Sequence, residues 1–508
     1  MEKLFKKIDF KVWFFLAFFG IHVVFLNINA AEWGDSYKIL RSAQFIGHFT
    51  YPLDEKRPPL FASFLSVIPS TSDQIFWGRV EMLVFSLVSL FVFYKLFRVL
   101  SKDHESAIKP ALILFVLNPV YFYWSLRVMS DIPFSLLALL VFYFISKWRD
   151  NYSFGKLALI GFLISLAVMT RFEGYILFGA VFLGFVFDRF KFSLLENIRN
   201  LSYLALTFFL TVFPYLYFRN PLKSSYLDEP SGRTYDIKTL LIYVSSFLFL
   251  FGFSYAFFFI YNKKTIVKNF FVENSSIAFF VFLELLLILV WPAAIPRLFV
   301  SIIPLLIVPL SWAIYEYFNE SKVIDLGTRV VSLGFLLFVY IVSQFFLKLQ
   351  FLIIIKPVFI GVVLLQLFLA LSILKRRKSY FYVLLSLILA VWSFSTIWIH
   401  KDIFRSINNA SIFIKNNLSG KVVHNDVSYV SAWYLKQNGT YFSKIEKDST
   451  SYDDYLSTDA DYVLVTNEHN TDLSFNAAKR PYLVLVKNFE YKVNGKEFFS
   501  RIYKLKNR

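Results

Sequence analysis

The chain has no cysteine, so disulfide bonds, thiolate nucleophiles and cysteine-ligated zinc sites are all excluded. Charged residues are scarce as well: they make up 17% of its 508 residues, whereas soluble proteins carry about 25%. No glycine-rich nucleotide-binding loop is seen. This composition does not fit a soluble enzyme that depends on a nucleotide or on reactive thiols.

Apolar residues dominate the sequence. The chain is 57% hydrophobic and 20% aromatic, with a mean hydropathy of +0.57. Its repeated apolar runs of about 20 residues are long enough to cross a hydrocarbon core about 30 Å thick. Such runs exclude a soluble two-domain enzyme. They also exclude an outer-membrane barrel, whose strands would be about 10 residues long with alternating polarity.

The predicted fold class is therefore a polytopic α-helical membrane protein with about thirteen transmembrane helices. The predicted spans lie near residues 11–29, 75–98, 108–124, 132–147, 156–170, 174–188, 201–218, 239–261, 276–292, 298–316, 329–347, 352–374 and 380–398.

Positive charge predicts the orientation of these spans. The net charge is +18, and most Lys and Arg residues of the membrane part lie in alternate connecting loops. Cytoplasmic loops carry such an excess, so we expect a cytoplasmic N-terminus, an uncleaved first span, an odd number of spans and an outer C-terminus. Nucleic-acid binding explains the charge poorly, because no basic patch with base-stacking aromatic residues stands outside the spans.

After residue 400 the apolar runs shorten to the length of strands. Alternating strand-like and helix-like segments predict a small α/β domain, and about 105 residues suffice for it to bury a core. The strand-like runs are 421–424, 461–466 and 482–487, and the candidate helices lie near 402–416 and 428–437.

We therefore predict a transmembrane domain at 1–400, with a first outer loop at 30–74, and a soluble extracytoplasmic α/β domain at 401–508. Within this last domain, His424 and Asp426 follow a predicted strand. They fit either a ligand site at a strand end or, more simply, a strand-to-helix turn with an Asn or Asp cap.

The first outer loop contains a predicted amphipathic helix over 37–49, which is typical of a helix lying in the plane of the membrane interface. Its apolar side carries Ile39, Leu40, Ala43, Ile46 and Gly47, and its polar side carries Lys38, Arg41, Gln44 and His48. Asp35 lies at its start, where two interpretations are open. It caps the helix, or it is an acid at the membrane edge that serves a negatively charged, lipid-borne substrate.

Three further short segments carry charge on the predicted outer face. They contain Arg127 with Asp131, Arg171 with Glu173, and Arg297. An isolated charge costs at least about 2.5–3.5 kcal/mol at the bilayer centre, so several charges on one face indicate a site. The alternative is structural: Arg127 and Asp131, four residues apart, would form a helix-end salt bridge, and Arg171 with Glu173 would stabilise a loop.

Four segments of the chain resemble motifs of the membrane glycosyltransferases that use a polyprenyl-phosphate sugar as donor (the GT-C superfamily). Examples are the dolichyl-phosphate-mannose protein mannosyltransferases and the lipid A aminoarabinose transferase. The segments are Gly34-Asp35-Ser36-Tyr37, Arg57-Pro58-Pro59-Leu60, Ser130-Asp131-Ile132-Pro133, and Arg297 followed by Pro304. The resemblance covers roughly residues 1–400. It departs from the family where Ser36 replaces a second acid, although Glu32 is one turn away, and where arginine replaces lysine at Arg57.

The resemblance implies an inverting transfer of a sugar, mannose-like or related, from a polyprenyl-phosphate donor to an acceptor hydroxyl on the outer face. It implies catalytic roles for Asp35, as the base, and for Asp131, and donor phosphate binding by Arg57, Arg297 and Arg171. Supporting residues would be Glu32, Tyr37, Lys38, Arg41 and Glu173. A divalent metal is compatible with the reaction, but no cluster with ligand spacing demands one.

The expected partners are the lipid-linked donor, a lipid, glycan or protein acceptor, and membrane lipids, but no nucleic acid. The expected location is a prokaryotic plasma membrane. The rival interpretation is a transporter or flippase of a lipid-linked saccharide, which would favour broken helices, charges near mid-membrane and an inverted repeat. The sequence instead has charges at one face and no evident repeat.

Overall fold

A computed structural model describes the protein over residues 10–52, 55–187, 194–218, 235–251, 254, 266–291, 296–319, 325–346, 356–426, 428–435, 460–468, 481–493 and 496–506. The chain divides into two compact units. The first comprises Met1–Phe25, Lys56–Phe64 and Arg79–Thr396, and the second comprises Leu26–Glu55, Leu65–Gly78 and Ile397–Arg508.

The described residues are mostly helical, and their strands lie near the C-terminal end. The helices are α1 Phe10–Phe25, α2 Gly34–Gly47, α3 Leu60–Leu65, α4 Gln74–Leu100, α5 Ile108–Val116, α6 Pro119–Ser125, α7 Asp131–Lys147, α8 Phe154–Thr170, α9 Gly174–Phe187, α10 Leu194–Phe218, α11 Ile237–Phe249, α12 Ile266–Glu273, α13 Ser275–Val290, α14 Ile303–Asn319, α15 Leu326–Phe346, α16 Lys356–Leu374, α17 Lys378–His400, α18 Arg405–Asn417 and α19 Val430–Leu435. The strands are β1 Val422–His424, β2 Tyr462–Thr466, β3 Leu483–Val493 and β4 Lys496–Leu505. Two 3₁₀ helices, Lys102–Ala107 and Pro296–Phe299, complete the description.

Among the described residues, three helices are long and apolar enough to cross a membrane. They are Gln74–Leu100, Leu195–Tyr217 and Lys378–His400. A fourth results if Glu105–Val116 and Pro119–Ser125, which meet at 56°, form one broken span. Six apolar helices of 10–17 residues are shorter. The helical architecture agrees with the predicted class, whereas the number of thirteen spans stays a prediction.

The predicted span over 108–124 is interrupted at Asn118. The Oδ1 atom of Asn118 accepts hydrogen bonds from the backbone N–H groups of Val120 (3.2 Å) and Tyr121 (3.0 Å), so it caps a new helix, α6. Pro119 follows at the first helical position, where its missing N–H costs nothing. The break therefore has a local cause, and α6 then leads the chain towards the charged segment that precedes α7.

Close packing holds α8 and α9, the two helices that flank the turn in which two predicted site residues lie. A Cβ atom on Gly161 would lie 2.7 Å from the carbonyl oxygen of Leu204, so α8 and α10 approach closely. On the other side, a Cβ atom on Gly184 of α9 would collide with Ser276 of α13. Small residues allow such close backbone approach in membrane helix pairs.

The C-terminal part of the second unit contains a four-stranded mixed sheet of order β1-β2-β4-β3. Strands β1 and β2 are parallel, and the β2–β4 and β3–β4 pairs are antiparallel. Helix α18 packs against the sheet through a buried apolar cluster of Ala410, Ile414, Val422, Leu435, Leu464 and Ile502. The predicted strands and helices are present here with shifted ends, and the structure adds β4, which sequence analysis missed.

Helix α2, which lies in the predicted first outer loop, belongs to the second unit as well. Its Tyr37 shares a buried cluster with Ala31, Phe404, Ile407 and Val430. Tyr37, Ile39, Leu40 and Ala43 are all buried, so the first part of the apolar side faces protein. The prediction that this side lies in the membrane interface is therefore wrong for these four residues, because they are buried within the protein.

Candidate active site

Asp131 is a buried acid in the first turn of α7, with 3% of its surface exposed. Its Oδ1 atom accepts a hydrogen bond from Arg171 Nη1 at 2.8 Å and lies 3.6 Å from Arg297 Nε. The partial positive charge of a helix N-terminus also favours an acid at this position. Oδ2 of Asp131 has no hydrogen-bond partner among the described residues. Asp131 thus gathers two arginines that are distant in sequence.

Arg171 connects Asp131 to Glu173. Its guanidinium donates to Glu173 Oε1 through Nε, at 3.1 Å, and through Nη2. Arg171 ends α8, where its backbone is extended (φ −151°, ψ 150°). Gly174 permits the tight turn that follows, because a Cβ atom there would collide with the backbone of Val168. The predicted Arg171–Glu173 pair is therefore present, and it also holds Asp131.

Arg297 and a third arginine, Arg127, lie near aromatic rings of α6. The guanidinium carbon of Arg297 is 5.4 Å from the ring centre of Trp124, and that of Arg127 is 5.3 Å from the ring centre of Tyr123. Such cation–π contacts hold the guanidinium plane against the ring. Arg127 is fully buried, whereas 16% of the Arg297 side chain is exposed.

Glu173 keeps its charge in this environment. Burial raises the pKa of the Glu173 carboxyl, but the charge and hydrogen bonds of Arg171 outweigh burial, so the pKa lies below its ordinary value. The turn between α8 and α9 therefore holds an ionised acid beside an arginine that already contacts Asp131. Arg171 is shared between two carboxylates.

Sequence analysis missed Glu284, a buried acid in α13. Only 2% of its surface is exposed, and its Oε1 atom has no hydrogen-bond partner among the described residues. It interacts electrostatically with Glu173 and Arg171. The sequence contained a clue to this residue, because Glu284 is the one charged residue of a 16-residue helix that is otherwise uncharged and mostly apolar. An intramembrane acid of this kind is a site candidate by default.

Asp35 lies in the first turn of α2 and is half-buried. The N-cap position is taken by Trp33, so the interpretation of Asp35 as the N-cap is wrong: the helix begins one residue earlier, at Gly34. A carboxylate in the first turn is favoured by the helix dipole without being a cap. The position is therefore compatible with a functional role.

The predicted supporting residues of the first loop lie around this helix. The backbone N–H of Glu32, whose side chain is buried, donates to Tyr37 Oη at 3.1 Å. Lys38 Nζ lies 4.0 Å from the ring centre of Tyr429, and Arg41 lies over an aromatic ring of its own helix. Glu32 and Tyr37 thus act within the fold of the loop, whereas the two cations contact aromatic rings.

The predicted site residues divide between the two units. Asp131, Arg171, Glu173 and Arg297 come together in the first unit, which also contains Arg57 in a half-buried bend before α3. The second unit contains Glu32, Asp35, Tyr37, Lys38 and Arg41.

His424 ends β1, and Asp426 caps the turn that leads from this strand to α19, as the simpler interpretation of the sequence has it. Asp426 accepts hydrogen bonds from the backbone N–H groups of Ser428 (2.7 Å) and Ser431 (2.8 Å), which lead into α19. Burial lowers the pKa of His424, and Asp426 opposes this effect in part. No group of three His, Asp or Glu side chains that could hold a metal ion occurs in the part of the chain that the structure describes.

Comparison with known proteins gives one family and a set of similar structures. Residues 56–218, about a third of the chain, match the sequence profile of the dolichyl-phosphate-mannose-protein mannosyltransferases. This range contains Arg57, Asp131, Arg171 and Glu173. No curated protein matches the chain by sequence at a significant level.

The structural similarity extends over nearly the whole chain. The crystal structure of ArnT from Cupriavidus metallidurans bound to undecaprenyl phosphate superposes with a TM-score of 0.61 at 12% identity, covering 96% of this chain and 97% of ArnT. The apo structure of ArnT gives the same values. The archaeal oligosaccharyltransferase AglB from Archaeoglobus fulgidus, in complex with an inhibitory peptide and a dolichol-phosphate, gives 0.52 at 11% identity, covering 97% of this chain and 74% of AglB.

The similarity to ArnT and AglB shows that the chain has the GT-C fold. The family match over 56–218 agrees with this fold, since the matched family is one of mannosyltransferases, and it covers about a third of the chain.

Proposed function

We propose that this protein transfers a sugar, mannose-like or related, from a polyprenyl-phosphate donor to an acceptor hydroxyl at the outer face of a prokaryotic plasma membrane. The observation that carries the proposal is the cluster of Arg171 and Arg297 around the buried Asp131, in a chain of GT-C fold. Guanidinium groups at a membrane edge match the phosphate of a lipid-linked donor in charge and in geometry. The ligands named for ArnT and AglB are undecaprenyl phosphate and a dolichol-phosphate, which supports a donor of the same class.

In the proposed reaction the acceptor oxygen attacks the anomeric carbon and forms the new glycosidic bond. The bond from that carbon to the phosphate oxygen breaks, and its electron pair leaves with the polyprenyl phosphate. Because the displacement is a single step, the configuration at the carbon inverts. The acceptor loses its proton to Asp35 as general base, and cations stabilise the leaving phosphate.

The contacts suggest different roles for the three candidate phosphate ligands. Arg171 already contacts two carboxylates, so we assign it chiefly to holding Asp131 and Glu173 in place. Arg297 is the more exposed of the two, with 16% of its side chain accessible against 10% for Arg171, and it lies over Trp124, which favours it as the main phosphate ligand. Arg57 would be a second phosphate ligand, and Asp131 would orient Arg297 and position the acceptor or a cation.

The proposed topology has a cytoplasmic N-terminus, thirteen spans and an outer C-terminal α/β domain at 401–508. It rests on the basic residues of alternate loops. We place the domain boundary near residue 400, so that the first outer loop, 30–74, is assigned to the transmembrane domain.

The direct test is transfer of a labelled sugar from synthetic polyprenyl-phosphate donors in membranes that contain the full chain. Asp35→Asn removes the proposed base and should abolish transfer without changing expression. The matched control is Asp73→Asn in the same loop: Asp73 caps α4 by accepting from the backbone N–H groups of Ile75 (3.1 Å) and Phe76 (3.0 Å), and asparagine caps equally well.

Donor-dependent labelling that is lost in Asp35→Asn and kept in Asp73→Asn would support the proposal. The labelled product would also identify the acceptor. Equal labelling in both variants would remove Asp35 from the mechanism. No labelling with any donor, together with flux of a lipid-linked saccharide across vesicles, would favour the transporter interpretation instead.

A further inference from the structure

In the second unit, the start of α2 rests directly on the backbone of Ser428. A Cβ atom on Gly34 would lie 2.6 Å from the carbonyl oxygen of Ser428 and 3.3 Å from its carbonyl carbon. Ordinary van der Waals contact begins at 3.4 Å, so no side chain fits between the two backbones. Gly34 is therefore required for close approach at the residue immediately before Asp35.

Further along the same helix, aromatic side chains of α2 and of the segment 428–434 are in contact. The ring centre of Tyr37 lies 6.0 Å from that of Trp433 and 6.5 Å from that of Tyr434, and Tyr37 is 2% exposed. One residue further, Lys38 Nζ lies 4.0 Å from the ring centre of Tyr429. Asp35 thus lies between two positions, 34 and 37, that the segment 428–434 holds in place.

The supporting segment is itself held in a strained conformation. Tyr429 has a φ of 66°, in the left-handed region that a bulky residue rarely adopts. Strain of this kind persists only where the surroundings impose it, and it is common at functional sites. Asp426 imposes it here, because its carboxylate accepts from the backbone N–H groups of Ser428 and Ser431, on either side of Tyr429.

We propose that Ser428 and Tyr429 are positioning residues that fix the first turn of α2 and thereby determine where Asp35 stands. This inference rests on the proposed role of Asp35 as the base. A base works only within about 2.6–3.2 Å of the proton that it takes, and a misplacement of about 1 Å can cost about 10²-fold in rate. The C-terminal segment thus contributes to transfer through Asp35 without itself reacting.

Gly34→Ala tests the proposal, since the added methyl group must push α2 away from Ser428. The matched control is Gly47→Ala at the other end of the same helix, where the nearest atom to an added Cβ is 3.8 Å away. In the full chain we expect Gly34→Ala to lower kcat for transfer about 10²-fold while the KM for the donor stays unchanged. Gly47→Ala should retain wild-type kcat.

Tyr429 provides a second pair of variants in case Gly34→Ala does not fold. Tyr429→Ala removes the ring under Lys38 and should lower kcat, whereas Tyr429→Phe keeps the ring and should restore it. A loss of thermal stability alone, with kcat unchanged in both Gly34→Ala and Tyr429→Ala, would overturn the proposal, because it would leave these residues with a structural role only.

A measurement that needs no activity separates this inference from the proposed function. Because the chain has no cysteine, spin labels can be attached at His48→Cys and Lys415→Cys, both exposed, without background labelling. Gly34→Ala should shift the distance between the labels, and Gly47→Ala should not. An unshifted distance in Gly34→Ala overturns the positioning inference even if the wild type transfers sugar, whereas failure of wild-type transfer overturns only the proposed function.

Discussion

Arg171 and Asp131 form a buried ion pair across 40 residues of sequence, with Nη1 of the arginine 2.8 Å from Oδ1 of the acid. The pair connects the end of α8 to the start of α7. Glu173 shares the same guanidinium, so the arginine is held from both sides. Removal of any one member leaves a charge in a site from which water is largely excluded.

Arg171→Met should therefore destabilise the protein strongly. Breaking a buried pair by removing one partner typically costs about 3–5 kcal/mol, because the remaining charge is uncompensated. We expect a clear fall in the thermal unfolding midpoint of the detergent-solubilised chain. Arg98→Met is the control: the ion pair of Arg98 with Glu105 is exposed, and its loss should leave the midpoint unchanged. Equal midpoints for Arg171→Met and the wild type would contradict the prediction.

Arg297→Gln should weaken donor binding more than it weakens the fold. A hydrogen bond to a charged group is worth about 1.5–3 kcal/mol, which corresponds to roughly a tenfold to hundredfold rise in the KM for the polyprenyl-phosphate donor. Arg297→Lys should recover part of the loss, since it keeps the charge without the planar fork. The measurement is a donor titration of transfer. An unchanged KM with Gln would assign the phosphate to another cation.

Glu284→Gln and Glu173→Gln should have different effects, although both replace an acid of low exposure by a neutral amide of the same shape. Glu173 accepts from Arg171, so its replacement should cost about 1.5–3 kcal/mol. Glu284 is buried with an oxygen that has no hydrogen-bond partner among the described residues, and its charge is repelled by that of Glu173, so its replacement should leave stability unchanged or raise it. Unfolding midpoints of the two variants decide this, and a larger loss for Glu284→Gln would refute it.

Acidification should destabilise the second unit through His424. Burial lowers the pKa of His424 below the ordinary value of about 6.5, so below that value the unfolded chain binds more protons than the folded chain. Stability contributed by the neutral ring is therefore complete above that pH and falls as the pH drops below it. His424→Gln should flatten this part of the pH profile of the unfolding midpoint, and the exposed His48→Gln should not. Identical profiles for all three proteins would contradict the assignment.

Several features of the site were predictable from local pattern. Apart from Glu284, the acids and arginines were found because charges are rare in apolar sequence, and the Arg171–Glu173 pair follows from a spacing of two residues. The structural alternative for Asp131 was a helix-end salt bridge with Arg127, four residues away. The structure instead shows Asp131 with Arg171 and Arg297, because the charged segment precedes α7 and is not itself one helix.

Other features were out of reach of the sequence. Glu284 interacts electrostatically with Glu173 because α13, the helix that contains Glu284, packs closely against α9 at Gly184 and Ser276. The burial of Tyr37 against Trp433 joins segments that are nearly 400 residues apart, which no periodicity indicates. The break at Asn118 was visible as an Asn-Pro pair, but its effect on the predicted span needed the helix geometry.

The sequence by itself determined the membrane class, the helical architecture and the set of charged candidates, because hydropathy and the cost of charge in lipid act locally along the chain. The tertiary structure alone decided which charges meet, that one arginine serves two carboxylates, and that the first-loop helix rests on Ser428. These contacts depend on long-range packing. The role of a glycine or of an apolar helix face in such packing depends on which distant residue the fold places against it.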